Sequence, residues 1–489
     1  MGKRIQNMEP LLSGGHSPGR KAMLQILEAG LQGADPYGNA RKLIRVERDR
    51  LIVGKREFEP TGSPKTGDEI FELSAIGKIY VVGAGKGIQN VAKAFEDALG
   101  ERLAGGHVID KKGHPRILKK IGVTFGGHPT PDEDCVKGCE QILKITRSLT
   151  EKDLVFTLVA NGVSSLLTLP APGVDIEDLR RTTLATQIER GMPTRLLNPI
   201  RNHLDRMKGG RISRYIHPAR MIHILAIDPG DYGQLMHENY WLHTLPDSST
   251  FQDAIDSLKR YDAWEAVPRS VREHLKKADP EQETLKAGDF EKMSFRIFGI
   301  MPGERQSGKL FPALKKAEEL GFKTMILTDD LFEIEASQAG IYLAAVANTV
   351  EGRGYPLEPP CAIFTSGELV VTVGPEKGIG GRNQEFVLWA ALKIAGSQNI
   401  VIGSVDTDGT DGPGAQFVQS KSQEIPCLAG GIVDGKTAEQ AKNLGLDLIK
   451  ELKRHNTTPA LWQLNSGIVA TPNISLIDLT VALILGRKK

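Results

Sequence analysis

The feature that most constrains this chain is a glycine-rich loop, residues 374–386, between two regular runs. A β-branched run, 369–373, leads into the loop, and an apolar-periodic run, 386–394, leaves it as a helix. Glycines let backbone N–H groups turn towards one point, and a helix N-terminus adds partial positive charge. With Lys377 and Arg382 among the glycines, the segment predicts an anion site. A flexible turn with solvated charges is the alternative.

An acidic loop follows the next predicted strand. Residues 399–405 read as a strand that ends in Asp406, Asp408 and Asp411. The twelfth position of the loop is Phe417 instead of the glutamate of an EF-hand, so that calcium motif is excluded. Carboxylates at the end of a strand predict Mg²⁺ binding through water, or hydrogen bonds to substrate hydroxyls, and a run of Asx turns is the alternative.

The first half of the chain opens with a strand, a glycine turn and a helix, at 79–82, 83–87 and 88–99. This order is the start of a βαβ unit. Dinucleotide binding is disfavoured, because Ile88 replaces the third glycine of the fingerprint and no acidic residue is expected to end a second strand about twenty residues on. Lys86 is predicted to face an anionic substrate at the carboxyl end of the strand, and a solvated lysine at the helix start is the alternative.

A second buried strand, 153–159, runs into a small polar loop, and helices are predicted over 175–190 and 193–208. The second helix is basic. Its basic residues either form a solvated face or help to bind substrate at the C-terminal end of the helix. The candidate substrate-binding residues of the whole chain are Asn161, Gly162, Ser164, Ser165, Arg201, His203, Lys208, Glu368, Asn383 and Glu385.

Segment 303–309 has the spacing of a phosphate-binding loop, but Leu310 stands where the motif needs a Ser or Thr for Mg²⁺. We therefore predict that it binds no phosphate. Segment 1–20 is polar and glycine-rich and is predicted to be poorly ordered.

Length and charge set the class of protein. A chain of 489 residues is expected to form two domains of unequal size. A net charge of +2 gives no electrostatic case for nucleic acid or a membrane surface, and no apolar run approaches a spanning helix. The basic N-terminus lacks the apolar core of a signal peptide, and 4 cysteines are too few for a disulfide framework. These observations predict a cytoplasmic protein with reduced thiols.

In their order along the chain, the motifs resemble the glycerate 2-kinase family of the MOFRL type, which includes proteins labelled hydroxypyruvate reductases. The motifs that carry the resemblance are Gly83-Ala-Gly-Lys-Gly87, Gly127-His-Pro-Thr-Pro-Asp-Glu133, Arg201-Asn-His-Leu-Asp-Arg-Met-Lys-Gly-Gly-Arg211, Ser366-Gly-Glu368, Gly380-Gly-Arg-Asn-Gln-Glu-Phe386, the Asp406 loop and Ala429-Gly-Gly-Ile-Val-Asp434. The resemblance implies an α/β fold with a Rossmann-like αβα N-terminal domain on a parallel sheet and a smaller C-terminal MOFRL-type α/β domain. It places the active site in the interdomain cleft, with Lys86 and Arg382 as catalytic cations converging on one anion.

The resemblance also sets the expected domain boundaries. Residues 21–355 form the kinase-type domain, in which 290–355 is a possible return segment, and 356–489 form the MOFRL-type domain. The chain departs from the family in three loops, at 160–165, 242–247 and 470–475, where Val163 and Ile474 replace small residues. These loops would otherwise let backbone amides approach phosphate.

Two enzymatic functions therefore stay open. The first is a kinase that transfers the γ-phosphoryl group of ATP to glycerate or a related sugar acid, with Mg²⁺ on Asp406, Asp408 or Asp411. The second is an isomerase or lyase that acts on a hydroxy- or keto-acid and has lost ATP. A silent binding protein is disfavoured, because an idle site has no need for paired buried charges. The expected partner is a small anionic sugar acid, and whether the chain forms a homodimer stays open.

Overall fold

The computed structural model describes residues 3–33, 35–301, 310–376, 378–412, 425–474 and 476–488. The segment 303–309 and Lys377 lie outside the described residues, so the prediction that this segment binds no phosphate stays a prediction. The chain folds into two compact units, each with more contacts within itself than with the other. We call residues 35–302 the parallel-sheet unit, and residues 1–34 with 303–489 the mixed-sheet unit.

The N-terminal residues and the parallel-sheet unit contain thirteen α-helices and nine strands in the described ranges. In chain order they are α1 (Met8–Ser13), α2 (Ser17–Gly33), α3 (Pro36–Leu43), β1 (Ile44–Glu47), β2 (Arg50–Val53), β3 (Glu69–Glu72), β4 (Ile79–Ala84), α4 (Ile88–Leu99), β5 (Leu103–Lys111), β6 (Gly122–Gly126), α5 (Glu133–Thr146), β7 (Leu154–Val159), α6 (Val163–Leu166), α7 (Ile176–Thr183), α8 (Thr194–His203), α9 (Arg211–Ile216), β8 (Arg220–Leu225), α10 (Tyr232–His237), α11 (Phe251–Arg260), α12 (Arg269–Lys277), α13 (Ala287–Phe290) and β9 (Phe295–Gly299).

The rest of the mixed-sheet unit follows residue 309. Its elements are α14 (Leu310–Glu319), β10 (Lys323–Thr328), α15 (Ala336–Arg353), β11 (Cys361–Gly367), α16 (Arg382–Lys393), β12 (Ile400–Asp406), β13 (Gly430–Asp434), α17 (Thr437–Asn443), α18 (Leu448–Lys453), α19 (Thr457–Gln463), β14 (Gly467–Ile468) and β15 (Asp478–Ile484).

The parallel sheet has the strand order β6-β5-β4-β7-β8-β9, and every neighbouring pair is parallel. Strand β7 is buried along its whole length, because helices cover both faces of such a sheet. The sequence-based prediction that strands ending near 83, 160 and 228 share one parallel sheet is confirmed. A small antiparallel sheet of β1, β2 and β3 accompanies it.

The mixed sheet has the order β10-β11-β15-β12-β13-β14, in which only β10 and β11 are parallel neighbours. Strand β15 lies between β11 and β12 and is fully buried. The prediction that the apolar C-terminal run ends in a core is therefore confirmed. This antiparallel arrangement brings the end of β11, the end of β12 and the start of β15 to one edge of the sheet.

The observed division differs from the expected boundaries in two places. Residues 3–20, expected to be poorly ordered, carry α1 and the start of α2, and the side chain of Arg20 is buried against Asp434. The segment 310–353, expected in the N-terminal domain, lies in the mixed-sheet unit because β10 pairs with β11. The boundary expected at residue 356 therefore falls inside that unit.

No helix in the described ranges is both long enough and apolar enough to cross a membrane.

Candidate active site

Lys86 lies at the carboxyl edge of the parallel sheet, where β4 and β7 end side by side. Its backbone N–H donates to the carbonyl oxygen of Asn161 at 2.8 Å, so the two strand ends are joined directly. Gly162 has a φ of +85°, and a Cβ there would come within 2.8 Å of the Lys86 side chain. The glycine is therefore required by the lysine that lies against it. The structure therefore places Lys86, Asn161 and Gly162, three of the predicted site residues, next to one another.

A buried aspartate organises the glycine turn before α4. Asp110, near the end of β5, accepts hydrogen bonds from the backbone N–H of Gly87 at 2.8 Å and from the Gln89 side chain at 2.9 Å. Its carboxylate also lies 3.0 Å from Nδ1 of His114. The expectation that no acidic residue ends this second strand was wrong. Because the carboxylate is used to hold the turn, Asp110 does not restore a ribose-binding fingerprint.

The loop after β7 turns its polar side chains to protein partners. The hydroxyl of Ser165 donates to the carbonyl oxygen of Gly127 at 3.0 Å, and Oγ of Ser164 lies 2.9 Å from Nε2 of His243. Val163, the residue that departs from the family, is buried in the apolar core of the unit. The departure therefore places a methyl-bearing side chain in the core.

Arg201 and Lys208 line one small cavity with Ser164 and Thr168, and the remaining wall is mostly apolar. The helix predicted over 193–208 ends at His203, and the loop after it is held by Asp205, which accepts from the backbone N–H of Lys208. Lys208 Nζ lies 2.5 Å from Asp205 Oδ2 and 2.8 Å from Thr168 Oγ1. Burial lowers the pKa of Lys208, although the Asp205 charge acts in the opposite direction. Burial also lowers the pKa of Arg201, to about 10.

His203 has a different environment from Arg201 and Lys208. Its Nε2 lies 2.8 Å from a carboxylate oxygen of Glu283, its Nδ1 lies 2.7 Å from the Pro199 carbonyl, and its ring packs on Phe251. Burial raises the pKa of Glu283, but the hydrogen bond and charge of His203 outweigh it and lower that pKa to about 2. These contacts describe a residue that stabilises the packing of α8.

Arg382 is the first residue of α16 and is surrounded by carboxylates. Its Nε donates to both oxygens of Asp478 at 3.0 and 2.8 Å, and its Nη2 donates to Asp406 at 2.8 Å. Its Nη1 donates to the more exposed Glu368 at 3.3 Å. Burial acts to lower the pKa of Arg382, and the three carboxylates raise it overall. The guanidinium is therefore held firmly, with its side chain still 20% exposed.

The sheet edge explains this convergence. Asp406 ends β12 and pairs in register with Asp478, which begins β15, while Gly367 at the end of β11 also pairs with Asp478. Glu368 follows β11 directly. Asn383 completes the cluster, because its side-chain amide donates to Asp478 at 2.8 Å.

Two other predicted residues of this unit point to other partners. The side chain of Glu385 forms a short contact with Nδ1 of His455, and burial raises the pKa of Glu385 despite that contact. Asp408 accepts from the backbone N–H of Thr410 at 2.6 Å and from its hydroxyl at 2.8 Å, as in an Asx turn.

Asp406, Asp408 and Asp411 each contact other protein groups in the described ranges. Asp411 caps α16, accepting from the backbone N–H of Asn383 at 3.3 Å and of Gln384 at 3.0 Å. Asp406 is used by Arg382, and no group of three His, Cys, Asp or Glu side chains in the described ranges is arranged to hold a metal ion. The described contacts engage the three aspartates in a helix cap, a turn and an ion pair, and the magnesium site on them stays a prediction.

The buried position of Asp411 leads to a pH-dependent stability. Burial raises the pKa of Asp411 to about 7, with Arg382 opposing and Asp478 adding to the shift. The native state then holds a proton that the unfolded state releases near its ordinary pKa, so this contribution is full below about pH 4 and is lost as pH rises through 7. In wild type the unfolding free energy should fall by roughly 1 kcal/mol per pH unit between about pH 4 and pH 7. We expect Asp411→Asn to remove this fall. Urea unfolding at several pH values measures it.

The matched control for that experiment is Asp447→Asn. Asp447 caps α18 in the same unit but is exposed. Asparagine caps a helix about as well as aspartate, so this replacement should change stability little, and by a similar amount at each pH. Equal pH profiles for wild type and Asp411→Asn would contradict the prediction.

Three residues of these sites were missed by sequence reasoning. Asp478 was read as part of an apolar strand, although a single carboxylate inside an apolar run was a signal that it has a buried partner. His243 lies in one of the departing loops, and Asp110 directly follows residues 108–109, which were predicted only as a short strand. The partner of His243 is 79 residues away and the glycine turn that Asp110 holds is 23 residues away, so no local pattern could identify these contacts.

Comparison with known proteins agrees with these motifs. A model described as a domain of unknown function (DUF4147) matches residues 22–276, and the MOFRL family model matches residues 361–475. The glycerate 2-kinase of Pyrococcus horikoshii is 32% identical over 472 residues, which is 96% of this chain and 98% of that protein. The chain belongs to the MOFRL-type glycerate 2-kinase family.

Other members of the family are similar over comparable lengths. The D-glycerate 2-kinase of Thermotoga maritima is 31% identical over 89% of this chain and 97% of that protein. The crystal structure of a glycerate kinase from Thermotoga maritima has a TM-score of 0.67 and 29% identity, covering 95% of this chain and 99% of that one. The predicted family and fold class, α/β with a Rossmann-like first domain and a MOFRL-type second one, are confirmed.

Proposed function

We propose that this protein is a glycerate 2-kinase, which transfers the γ-phosphoryl group of ATP to a hydroxyl group of glycerate. In that step a bond forms between the acceptor oxygen and the γ-phosphorus, the bond from phosphorus to the bridging oxygen of ADP breaks, and the hydroxyl proton is released. The observation that carries the proposal is the similarity to the Pyrococcus horikoshii glycerate 2-kinase over nearly the whole of both chains.

The described environment of the departing loops supports the kinase over the isomerase or lyase. Val163 and Ile474, which replace small residues of the family, are both buried. Because both side chains pack in the protein interior, the loop backbones stay available, and neither residue is expected to block phosphate.

Phosphoryl transfer depends mostly on positioning and charge neutralisation. In the proposal, Lys86 and Arg382 supply that charge at the transferring phosphoryl group or the substrate carboxylate. Arg382 has five N–H groups. Three of them, on Nε, Nη1 and Nη2, donate to carboxylates in the described structure. The others can serve a ligand, while the carboxylates fix the plane of the guanidinium.

The direct test is phosphorylation of D-glycerate by ATP. We expect ADP formation that depends on D-glycerate, and a product that enolase converts to phosphoenolpyruvate, because enolase accepts 2-phosphoglycerate and not the 3-isomer. A panel of other sugar acids from three to six carbons serves as the comparison. No ATP consumption with any of them would overturn the kinase proposal and favour the isomerase or lyase.

The requirement for Mg²⁺ stays a prediction, because no metal-binding group is found in the part of the chain that the structure describes. Excess EDTA should abolish turnover, and added Mg²⁺ should restore it. Full activity in EDTA would show that the divalent ion is not needed.

A further inference from the structure

A small cavity inside the parallel-sheet unit carries more positive charge than its protein partners balance. It has a volume of about 20 Å³, room for one water-sized group, and its lining includes Arg201, Lys208, Ser164 and Thr168. Lys208 is paired with Asp205 at 2.5 Å. In the described part of the chain, Arg201 makes no ion pair and donates only to the neutral amide oxygen of Gln187 at 2.7 Å. Two cations and one anion leave one positive charge at the cavity.

Such a charge is costly unless an anion meets it. Apolar side chains make up much of the rest of the wall: Leu179, Leu197, Ile200 and Leu204. In this low-dielectric setting an unpaired guanidinium is destabilising, and its attraction for an anion is strengthened. The pKa of Arg201 is lowered for the same reason, because burial removes water from the guanidinium.

Ser164 is oriented by a histidine that no motif predicted. His243 is 1% exposed; its Nε2 lies 2.9 Å from Ser164 Oγ, while its Nδ1 has no hydrogen-bond partner among the described residues. Burial lowers the pKa of His243, as do the nearby charges of Lys208, Arg201 and Arg211, so the ring is neutral. A neutral ring carries one N–H, and placing it on Nε2 avoids a buried donor without an acceptor. Nε2 then donates to Ser164 Oγ, which leaves the serine proton free to donate to a ligand.

We propose that this cavity is the carboxylate subsite of the acceptor, with Arg201 and Ser164 as donors to the carboxylate and His243 as a positioning residue. The proposal rests on the proposed function in taking glycerate as the acceptor. One surplus positive charge matches a carboxylate, which is a monoanion. The volume admits a single oxygen of a planar group, whereas the phosphates of ATP carry more charge and more bulk. Arginine is suited to this role because its planar fork matches a carboxylate.

His243 also distinguishes this chain from the family pattern. It stands in the loop 242–247, one of the three loops that depart from the family, and it contacts the departing loop 160–165 through Ser164. The two departures are therefore parts of one contact, and they would adjust the subsite to the acid that this protein takes.

Binding without turnover tests the subsite. Calorimetric titration should give a dissociation constant for D-glycerate about tenfold or more higher in Arg201→Gln than in wild type, since a hydrogen bond to a charged group is lost. The dissociation constant for ATP should stay within about twofold. Arg206→Gln is the matched control, because Arg206 is exposed in the loop that follows the helix of Arg201, and it should bind both ligands as wild type does.

The outcomes separate this proposal from the function it rests on. Unchanged glycerate affinity in Arg201→Gln, or wild type that binds none of glycerate, lactate and glycolate, overturns the subsite. A loss of ATP affinity alone shows that the cavity takes a phosphate, which also overturns it. Wild type that binds glycerate through Arg201 without phosphorylating it overturns the kinase proposal and leaves the subsite standing.

His243 is tested by a pair of variants. Glutamine can place its amide nitrogen where Nε2 lies, so His243→Gln should keep KM for glycerate within about twofold, whereas His243→Leu should raise KM about fivefold or more with kcat nearly unchanged. Ser164→Ala should raise KM similarly and add little to His243→Leu, because the two act through one hydroxyl. Equal losses in both His243 variants, or a fall in kcat alone, would contradict the positioning role.

Discussion

Replacing Lys86 or Arg382 with alanine is expected to lower kcat/KM for glycerate by about a hundredfold or more, which corresponds to about 3 kcal/mol of transition-state stabilisation. Each side chain begins at a strand end or a helix start that fixes it: Lys86 against Gly162, and Arg382 against Asp406 and Asp478. A cation fixed in this way needs no reorganisation when charge develops on the phosphoryl group.

Steady-state kinetics of the single and double variants measure this prediction. If the two cations act on the same transition state, the double variant should be little worse than the more damaged single one. Lys78→Ala is the matched control for the lysine, because Lys78 is exposed just before β4. Fully multiplicative losses would show that the two residues contribute independently and do not act as a unit.

Arg382→Ala needs a second measurement, because it leaves buried Asp406 and Asp478 without their cation. Removing one partner of a buried ion pair is destabilising in itself. Arg382→Lys keeps a charge near the carboxylates but loses the bidentate contact with an anion. A folded Arg382→Lys variant with a large loss of kcat/KM would assign the effect to catalysis, and wild-type kcat/KM in that variant would contradict the role given to the guanidinium.

Local patterns predicted the parallel sheet and the positions of the glycine loops because their causes are local. Apolar runs bounded by glycines mark β4 and β7, and parallel strands in a βαβ order must end at one edge. Lys86 and Asn161 therefore lie where expected. Arg382 likewise begins a helix after a glycine loop, and the anion site predicted there stays a prediction.

The partners of those residues could not be predicted, because they come from distant parts of the chain. Asp478 is 96 residues from Arg382, and His243 is 79 residues from Ser164. The acidic loop shows the opposite error. Its carboxylates are close in sequence, which suggested a metal site, yet Asp411 turns back to cap a helix whose first residue is Arg382. The sequence showed that three carboxylates lie close together along the chain, but it could not predict which group each of them contacts.

The expectation of a poorly ordered N-terminus failed for the same reason, and it leads to the largest expected effect on stability. Arg20 is fully buried in α2, and its Nε donates to Asp434 at 2.7 Å. Nη1 donates to the carbonyl oxygens of Leu11 and Asn465 at 3.1 and 3.2 Å, so one side chain joins the N-terminal helices to the end of β13. Nothing in the glycine-rich stretch around residue 15 predicts this, because its partner is 414 residues away.

We expect Arg20→Met to lower the unfolding free energy of the mixed-sheet unit by about 3–5 kcal/mol, because methionine fills the apolar part of the space and leaves Asp434 buried without its cation. The control is Arg487→Ala, which breaks an exposed ion pair with Glu358 in the same unit and should cost about 0–1 kcal/mol. Urea unfolding, followed by amide hydrogen exchange in β12 and β13, measures both. Asp434→Asn combined with Arg20→Met should cost less than the sum of the single changes, since the buried charge is then removed with its partner. A cost for Arg20→Met no larger than that of the control would mean that residues 3–20 contribute little to this unit, as their composition first suggested.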